Sequence, residues 1–167
     1  MNDLSNYCDF QEEVDANLLI EFNDQVKWFS ALTANERFDE IDFVGADTKG
    51  RKTHIELKQR KGTIKQYCKW GDILIEPSKI SRTTKIMESG HSLNEQRLFV
   101  NFVDNGVIIY NLNRISRLNF YPCHRHWNQR DNRWENEDRF GLPIDQAIVY
   151  KKDSDGVYHR VYVEKIK

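Results

Sequence analysis

Ile41-Asp42-Phe43-Val44, followed by Ala46-Asp47-Thr48-Lys49-Gly50 and then His54-Ile55-Glu56-Leu57-Lys58-Gln59, is the stretch from which the fold is read. From Phe38 to Val44 apolar Phe38, Ile41 and Phe43 alternate with acidic Asp39, Glu40 and Asp42, the pattern of a half-buried strand. A turn is expected at 46–50. The alternation resumes from Arg51 to Lys58, so the whole segment reads as an antiparallel hairpin with Asp42 and Glu56 on adjacent strands. Residues two apart on a strand share a face, which makes Glu56 and Lys58 neighbours and turns Ile55 and Leu57 toward a core.

Two carboxylates meeting across such a hairpin repel. At an effective dielectric near 20, like charges about 4 Å apart cost roughly 4 kcal/mol. A divalent cation relieves that strain, and hard carboxylate oxygens completed by water suit Mg²⁺ or Mn²⁺ better than zinc. Phosphodiester hydrolysis uses these parts: a metal that polarises phosphoryl oxygens and acidifies bound water, and a cation that positions the water or offsets developing charge. Lys58 is placed for the second task. A bare Glu-x-Lys recurs by chance on exposed strand faces, so the weight lies in the order of the elements around it.

Upstream, Val14, Leu18, Leu19, Phe22, Val26 and Phe29 fall at spacings of three and four, which predicts an amphipathic helix from about Phe10 to Leu32. Downstream, Trp70 to Ile75 reads as a short strand ended by Pro77, and Ser78 to Ser89 as a helix. Arg97 to Val103 and Val107 to Leu112 flank Asp104-Asn105-Gly106, a strong hairpin signal. Residues 119–140 lack periodicity and read as a surface loop or insertion, after which Ile144 to Tyr150 and Val157 to Ile166 flank a turn at Ser154-Asp155-Gly156. A helix followed by strands predicts an α+β fold with a mixed sheet, and 167 residues suffice for one domain.

An N-terminal helix, an Asp on one strand, a turn, and an apolar-Glu-apolar-Lys strand, in that order, resemble the PD-(D/E)xK nuclease superfamily, whose members include many restriction enzymes, Holliday-junction resolvases and exonucleases. The resemblance covers roughly residues 10–76, with Ile41 standing where the motif's name has a proline. It implies a restriction-endonuclease-like core of α/β/α type, with a helix after the catalytic hairpin. It also implies Mg²⁺ (or Mn²⁺) held by Asp42, Glu56 and the backbone carbonyl of Leu57, and Lys58 assisting the attacking water. Asp39 and Glu40 compete for the place of Asp42, which is preferred because it leads directly into Phe43-Val44. Many members add a helix carboxylate, for which Glu12, Glu13, Asp15 and Glu21 compete. Gln59 extends the motif. The implied substrate is DNA before RNA, and a homodimer is left open, since two sites would then reach two strands.

The charge pattern agrees with such a substrate. Residues 1–47 hold twelve acids against Lys27 and Arg37, whereas Lys49 to Lys69 hold eight bases against Glu56 alone. Lys49, Arg51, Lys52, Arg60, Lys61, Lys65 and Lys69 flank the proposed site and are candidates for holding phosphates. The competing reading is a non-catalytic nucleic-acid-binding or protein-interaction module on the same fold.

Other chemistries find little support. Cys8, Cys68 and Cys123 show no Cys-x-x-Cys spacing, and Cys123-His124-Arg125-His126 lacks a second ligand pair for zinc. No glycine-rich phosphate loop, Gly-x-Ser-x-Gly or His-Glu-x-x-His is present. Tyr121, His124, Arg125, His126, Trp127, Arg130, Arg133 and Trp134 mix bases with aromatics that can stack on unpaired bases, yet Asp131, Glu135, Glu137 and Asp138 cancel the charge. No apolar run approaches the roughly 20 residues of a membrane span, and Met1 to Ser5 lack a basic, then apolar, signal segment, so the expected compartment is cytoplasmic.

Overall fold

Helix α1 (Leu4–Val26) opens the chain in a computed structural model that describes residues 4–34, 42–80, 95–117, 121–123, 126–128, 133–135 and 138–166. Side chains are described over 13–34, 42–80, 95–114, 122 and 138–166. The helix is shorter at its C-terminal end than its periodicity predicts. Lys27 takes a left-handed conformation (φ 55°), and the chain leaves as strand β1 (Phe29–Ala34). Asn23 enforces the change: its Oδ1 accepts the Phe29 N–H at 2.8 Å and its Nδ2 donates to the Phe29 carbonyl at 3.1 Å. Phe29 and Leu32 still face the core that the helix faces, which is why their spacing mimics a continuing helix.

β1 pairs with β2 (Phe43–Asp47), which pairs antiparallel with β3 (Lys52–Gln59), Phe43 lying opposite Ile55 and Val44 opposite His54. The hairpin is therefore formed in the expected sense. Its first strand is described only from Phe43; the expected residues 38–41, including Asp39 and Glu40, lie outside the described residues. Asp47 closes the turn by accepting the N–H groups of Lys49 and Arg51 at 2.8 and 2.9 Å.

Helix α2 (Ile64–Trp70) follows; the resemblance implies a helix after the hairpin, but no periodicity in the sequence assigns it to these residues. Its signal is local: Thr63 and Gln66 form a reciprocal capping box, and Gly71 closes the other end in the left-handed region. Strand β4 (Asp72–Ile75) is where it is expected, and a helical turn begins at 77–80. The rest of the helix expected over 78–89 lies outside the described residues.

β5 (Gln96–Val103) then runs parallel to β3, and β6 (Gly106–Asn111) returns beside it through the expected Asn-Gly turn. Gly106 is needed for space, because a Cβ there would collide with the Tyr150 carbonyl and Ile64 Cδ1. The segment read as a surface loop or insertion holds short strands: β7 (Tyr121–Cys123), β8 (His126–Asn128) paired with β9 (Arg133–Glu135), and the start of β10 (Arg139–Pro143). The pairing of β10 with β4, about 65–71 residues upstream, and of β7 with β10, is non-local, and no periodicity announces it. β11 (Ile148–Lys152) and β12 (Tyr158–Val161) complete the main sheet.

The main sheet has seven strands in the order β1-β2-β3-β5-β6-β11-β12, antiparallel except for β3 and β5, and a three-stranded sheet β4-β10-β7 stands apart. The α+β class and the mixed sheet thus hold. One face of the main sheet packs Ile55, Leu57, Leu98, Val100 and Phe102 against Leu19 and Phe22 of α1. Phe22 is the hub of an aromatic cluster with Trp28, Phe102, Tyr150 and Tyr158, and burying such a ring is worth about 1.5–3 kcal/mol. The opposite face packs Phe99, Val103, Ile108 and Tyr110 against α2, β4, Ile80 and Leu142. Among the described residues no helix is long and apolar enough to cross a membrane.

Candidate metal centre

The faces of β3 decide the site. Thr53, Ile55 and Leu57 belong to the α1 side, so His54, Glu56 and Lys58 project from the other side, where Glu56 lies beside Phe99 and Lys58 beside Asn101 of β5. The Phe43–Ile55 register, extended by one residue, sets Asp42 opposite Glu56. Asp42 is fixed there: its Oδ2 accepts the Leu57 N–H at 2.6 Å. A residue in a strand presents its N–H and C=O to the same edge, so the Leu57 carbonyl faces the edge at which Asp42 sits.

Asp42 is exposed, whereas the Glu56 side chain keeps only 8% of its surface. Glu56 Oε1 stands 2.6 Å from Lys79 Nζ and 3.6 Å from Lys58 Nζ. Burial pushes the Glu56 carboxyl above its ordinary range; the Lys79 ammonium pulls it down, and the Asp42 charge pushes it up again, leaving it raised. Two carboxylates and two ammonium groups therefore meet at one strand end. Lys79 escapes sequence reading because nothing in its spacing ties it to β3; it arrives on the helical turn after Pro77, next to buried Ile80.

The donor set is all oxygen: the Asp42 and Glu56 carboxylates and the Leu57 carbonyl. These fit a hard cation such as Mg²⁺ or Mn²⁺ that keeps several waters. No cluster of three or more His, Cys, Asp or Glu side chains gathers among the described residues, so no third carboxylate is supplied from them. The helix candidates are placed elsewhere. Asp15 Oδ1 accepts from Gln59 Nε2 at 2.5 Å on the α1 side of the sheet, away from Glu56, and Glu21 pairs with Lys152 at 2.5 Å. Glu13 is exposed, and the Glu12 side chain lies outside the described residues.

The bases fall into three kinds. Lys49 and Lys52 are exposed at the β2–β3 turn, Lys52 lying about 13 Å along β3 from Glu56 at 3.3 Å per residue. Lys61, Lys65 and Lys69 are exposed beyond the other end of β3. Arg51 is half-exposed but bound to Asp47, and Arg60 is engaged inside the protein. Arg51 Nε and Nη2 both lie 2.7 Å from Asp47 Oδ2. Arg60 donates to Asn101 Oδ1 and the Leu74 carbonyl, each at 2.6 Å, and its guanidinium lies 5.7 Å from the Phe99 ring centre. Its cationic head thus ties β3 to β5 and β4 instead of facing solvent. The side chains of residues 123–137, with their aromatic and zinc-type residues, lie outside the described set.

No protein-family model matches the chain, and no curated protein matches it.

Proposed function

We propose that the chain is a metal-dependent nuclease that hydrolyses DNA phosphodiester bonds on a restriction-endonuclease-like core. The observation that carries the proposal is the placement of Asp42 opposite buried Glu56, with Asp42 accepting the Leu57 N–H and Lys58 reaching over the same Glu56 oxygen. The disposition of α1 on one face of a mixed sheet, and of α2 and the 77–80 turn on the other, supports the α/β/α reading of the core.

Asp42, Glu56 and the Leu57 carbonyl would hold Mg²⁺ (or Mn²⁺), whose chemistry is to polarise a phosphoryl oxygen and acidify water. Lys58 lies on the face shared with Glu56, with 40% of its side chain exposed, so its ammonium can hold the attacking water and meet the charge that develops on the phosphoryl oxygens. Exposed Lys49 and Lys52 on one side, and Lys61 and Lys65 on the other, are the bases best placed to hold phosphates. Arg51, already paired with Asp47, and Arg60, engaged inside the protein, serve that purpose less.

One observation favours the alternative, a non-catalytic nucleic-acid-binding or protein-interaction module: Glu56 already has an ion-pair partner in Lys79. Cleavage separates the two readings. Lys58→Ala is expected to lose at least a hundredfold in Mg²⁺-dependent cleavage of a labelled DNA, while its unfolding midpoint and DNA affinity stay close to wild type, because truncation at an exposed strand-face position costs little stability. Undiminished cleavage by Lys58→Ala would remove Lys58 from the mechanism. Absence of any divalent-metal-dependent cleavage by the wild type, across duplex, single-stranded and branched DNA, favours the module.

A further inference from the structure

We propose that Lys79 is a working member of the metal centre: its ammonium holds Glu56 in the metal-free protein and yields that carboxylate to the divalent cation, so that metal binding is an exchange of cations. The inference rests on the metal-centre reading above and adds to it a residue on a separate element.

Lys79 and Lys58 approach the same atom, Glu56 Oε1, but from different elements, the 77–80 turn and β3. Lys79 is the nearer at 2.6 Å and the more enclosed, its side chain keeping 18% of its surface against 40% for Lys58. A cation such as Mg²⁺ takes carboxylate oxygens at about 2.0–2.1 Å and tolerates little departure from octahedral geometry. An ammonium in contact with the same oxygen and a divalent ion bound to it would repel strongly in this enclosed place, so one must leave. The backbone at this point is not the part that moves. Ile80, the next residue, is 7% exposed and packs in the core with Phe99, Tyr67 and Ile75. What can move is the four-carbon lysine stem, whose head stays within a side-chain length of Glu56 after exchange. A phosphate oxygen brought to the metal is the anion that the displaced ammonium would meet. Metal and phosphate backbone therefore assist one another, and by linkage each tightens the other's binding by the same factor.

The test is direct titration with Mn²⁺ alone, by calorimetry and by the loss of the free-ion electron paramagnetic resonance signal, without DNA and at pH 8 so that a proton does not replace the ammonium. Lys79→Met keeps an apolar stem and removes the charge. It is expected to bind Mn²⁺ about tenfold tighter or more, the factor that about 1.4 kcal/mol represents, while Lys79→Arg stays near the wild type. Adding Glu56→Gln to Lys79→Met is expected to abolish the gain. Should Lys79→Met prove too unstable to titrate, Lys79→Gln carries the same comparison. Equal or weaker Mn²⁺ binding by the neutral variants, with wild-type binding still lost in Glu56→Gln, overturns the exchange and leaves the metal centre standing. No Mn²⁺ binding in any variant overturns both.

Discussion

Replacing Asp42 by Asn separates the chemistry of the centre from its architecture. Asn keeps an oxygen that can accept the Leu57 N–H, now 2.6 Å from Asp42 Oδ2, so the junction of β2 and β3 retains its hydrogen bond. Two changes in the metal-free protein oppose each other. The bond loses its charge assistance, worth about 1 kcal/mol. The repulsion between positions 42 and 56 is relieved: cross-strand neighbours with charges about 5 Å apart interact by about 3 kcal/mol at an effective dielectric of 20, and exposure of Asp42 to water reduces this to about 1 kcal/mol or less. The net effect on the metal-free protein is below about 1 kcal/mol, or roughly 2–4 °C for a chain of this size. Metal behaves differently. At 100 times its dissociation constant, a ligand of the native state adds about 2.7 kcal/mol, about 5–11 °C in the unfolding midpoint. The assay is thermal unfolding of wild type and Asp42→Asn with and without Mn²⁺ at 100 times the wild-type dissociation constant. The wild type should show the shift and Asp42→Asn should not. An equal metal shift in both would refute the assignment of Asp42 as a ligand, and a metal-free midpoint lowered by more than 10 °C would refute the reasoning about its hydrogen bond.

The remaining predictions concern the charged residues around the centre. Arg60→Ala leaves the fully buried Asn101 without its guanidinium donor, together with the Leu74 carbonyl, and should cost about 2–4 kcal/mol in urea unfolding; a loss of DNA affinity without loss of stability would show that Arg60 serves phosphate instead. Lys65→Ala, at an exposed α2 position, should leave the unfolding midpoint within about 2 °C and reduce the slope of log affinity against log salt by about 0.9, measured by anisotropy with a labelled duplex. Burial raises the Asp47 carboxyl, but the N–H groups of Arg51 and Lys49 and the Arg51 guanidinium outweigh it, so its folded pKa lies below the ordinary value. Its stabilisation is therefore complete above the unfolded value near 3.9 and is lost as pH falls through the folded value. Asp47→Asn should flatten that acid limb in urea midpoints taken from pH 5 to pH 2, and an unchanged limb would show that Asp47 contributes none of it.

The parts of the fold that were legible are those in which a local pattern and the tertiary environment agree. The alternation around Ile55 and Leu57 is a real division of faces, and the turn closed by Asp47 fixes a register that puts residue 42 beside residue 56. Asn105-Gly106 is legible for the same reason, a tight turn between two apolar strands. β1 was hidden because Phe29 continues the helical spacing of Leu19, Phe22 and Val26 while belonging to the same core; the break at Lys27 is made by the Asn23 side chain, not by a glycine or proline. The strands of 121–135 are three residues long, too short to show a period. At the site, Asp42, Glu56 and Lys58 were legible because one hairpin carries all three. Lys79 was not, because only the packing of Ile80 and β4 against the back of the sheet brings it to Glu56.

Glu56 also bears on the choice between an enzyme and an inert module. Directly across on β5 lies apolar Phe99, and Ile80 follows Lys79 into the same core, while His54, Lys58 and Asn101 are the polar side chains that share the face. A carboxylate there is penalised by burial and by Asp42, and its raised pKa means that stability declines as pH rises through the folded value, the opposite of Asp47. Lys79 and Lys58 offset that penalty, but replacing a buried ion pair by packed apolar side chains is often neutral or stabilising. Packing alone thus gives no reason for a glutamate at the centre of β3, flanked by Ile55 and Leu57 with which it alternates. The cation binding proposed for Glu56, beside Asp42 and Lys58, would give one. Under the proposed function Glu56→Gln loses metal binding, and because it takes the carboxylate away from enclosed Lys79 while leaving the ammonium in place, it should also lower stability near neutral pH, read by urea unfolding.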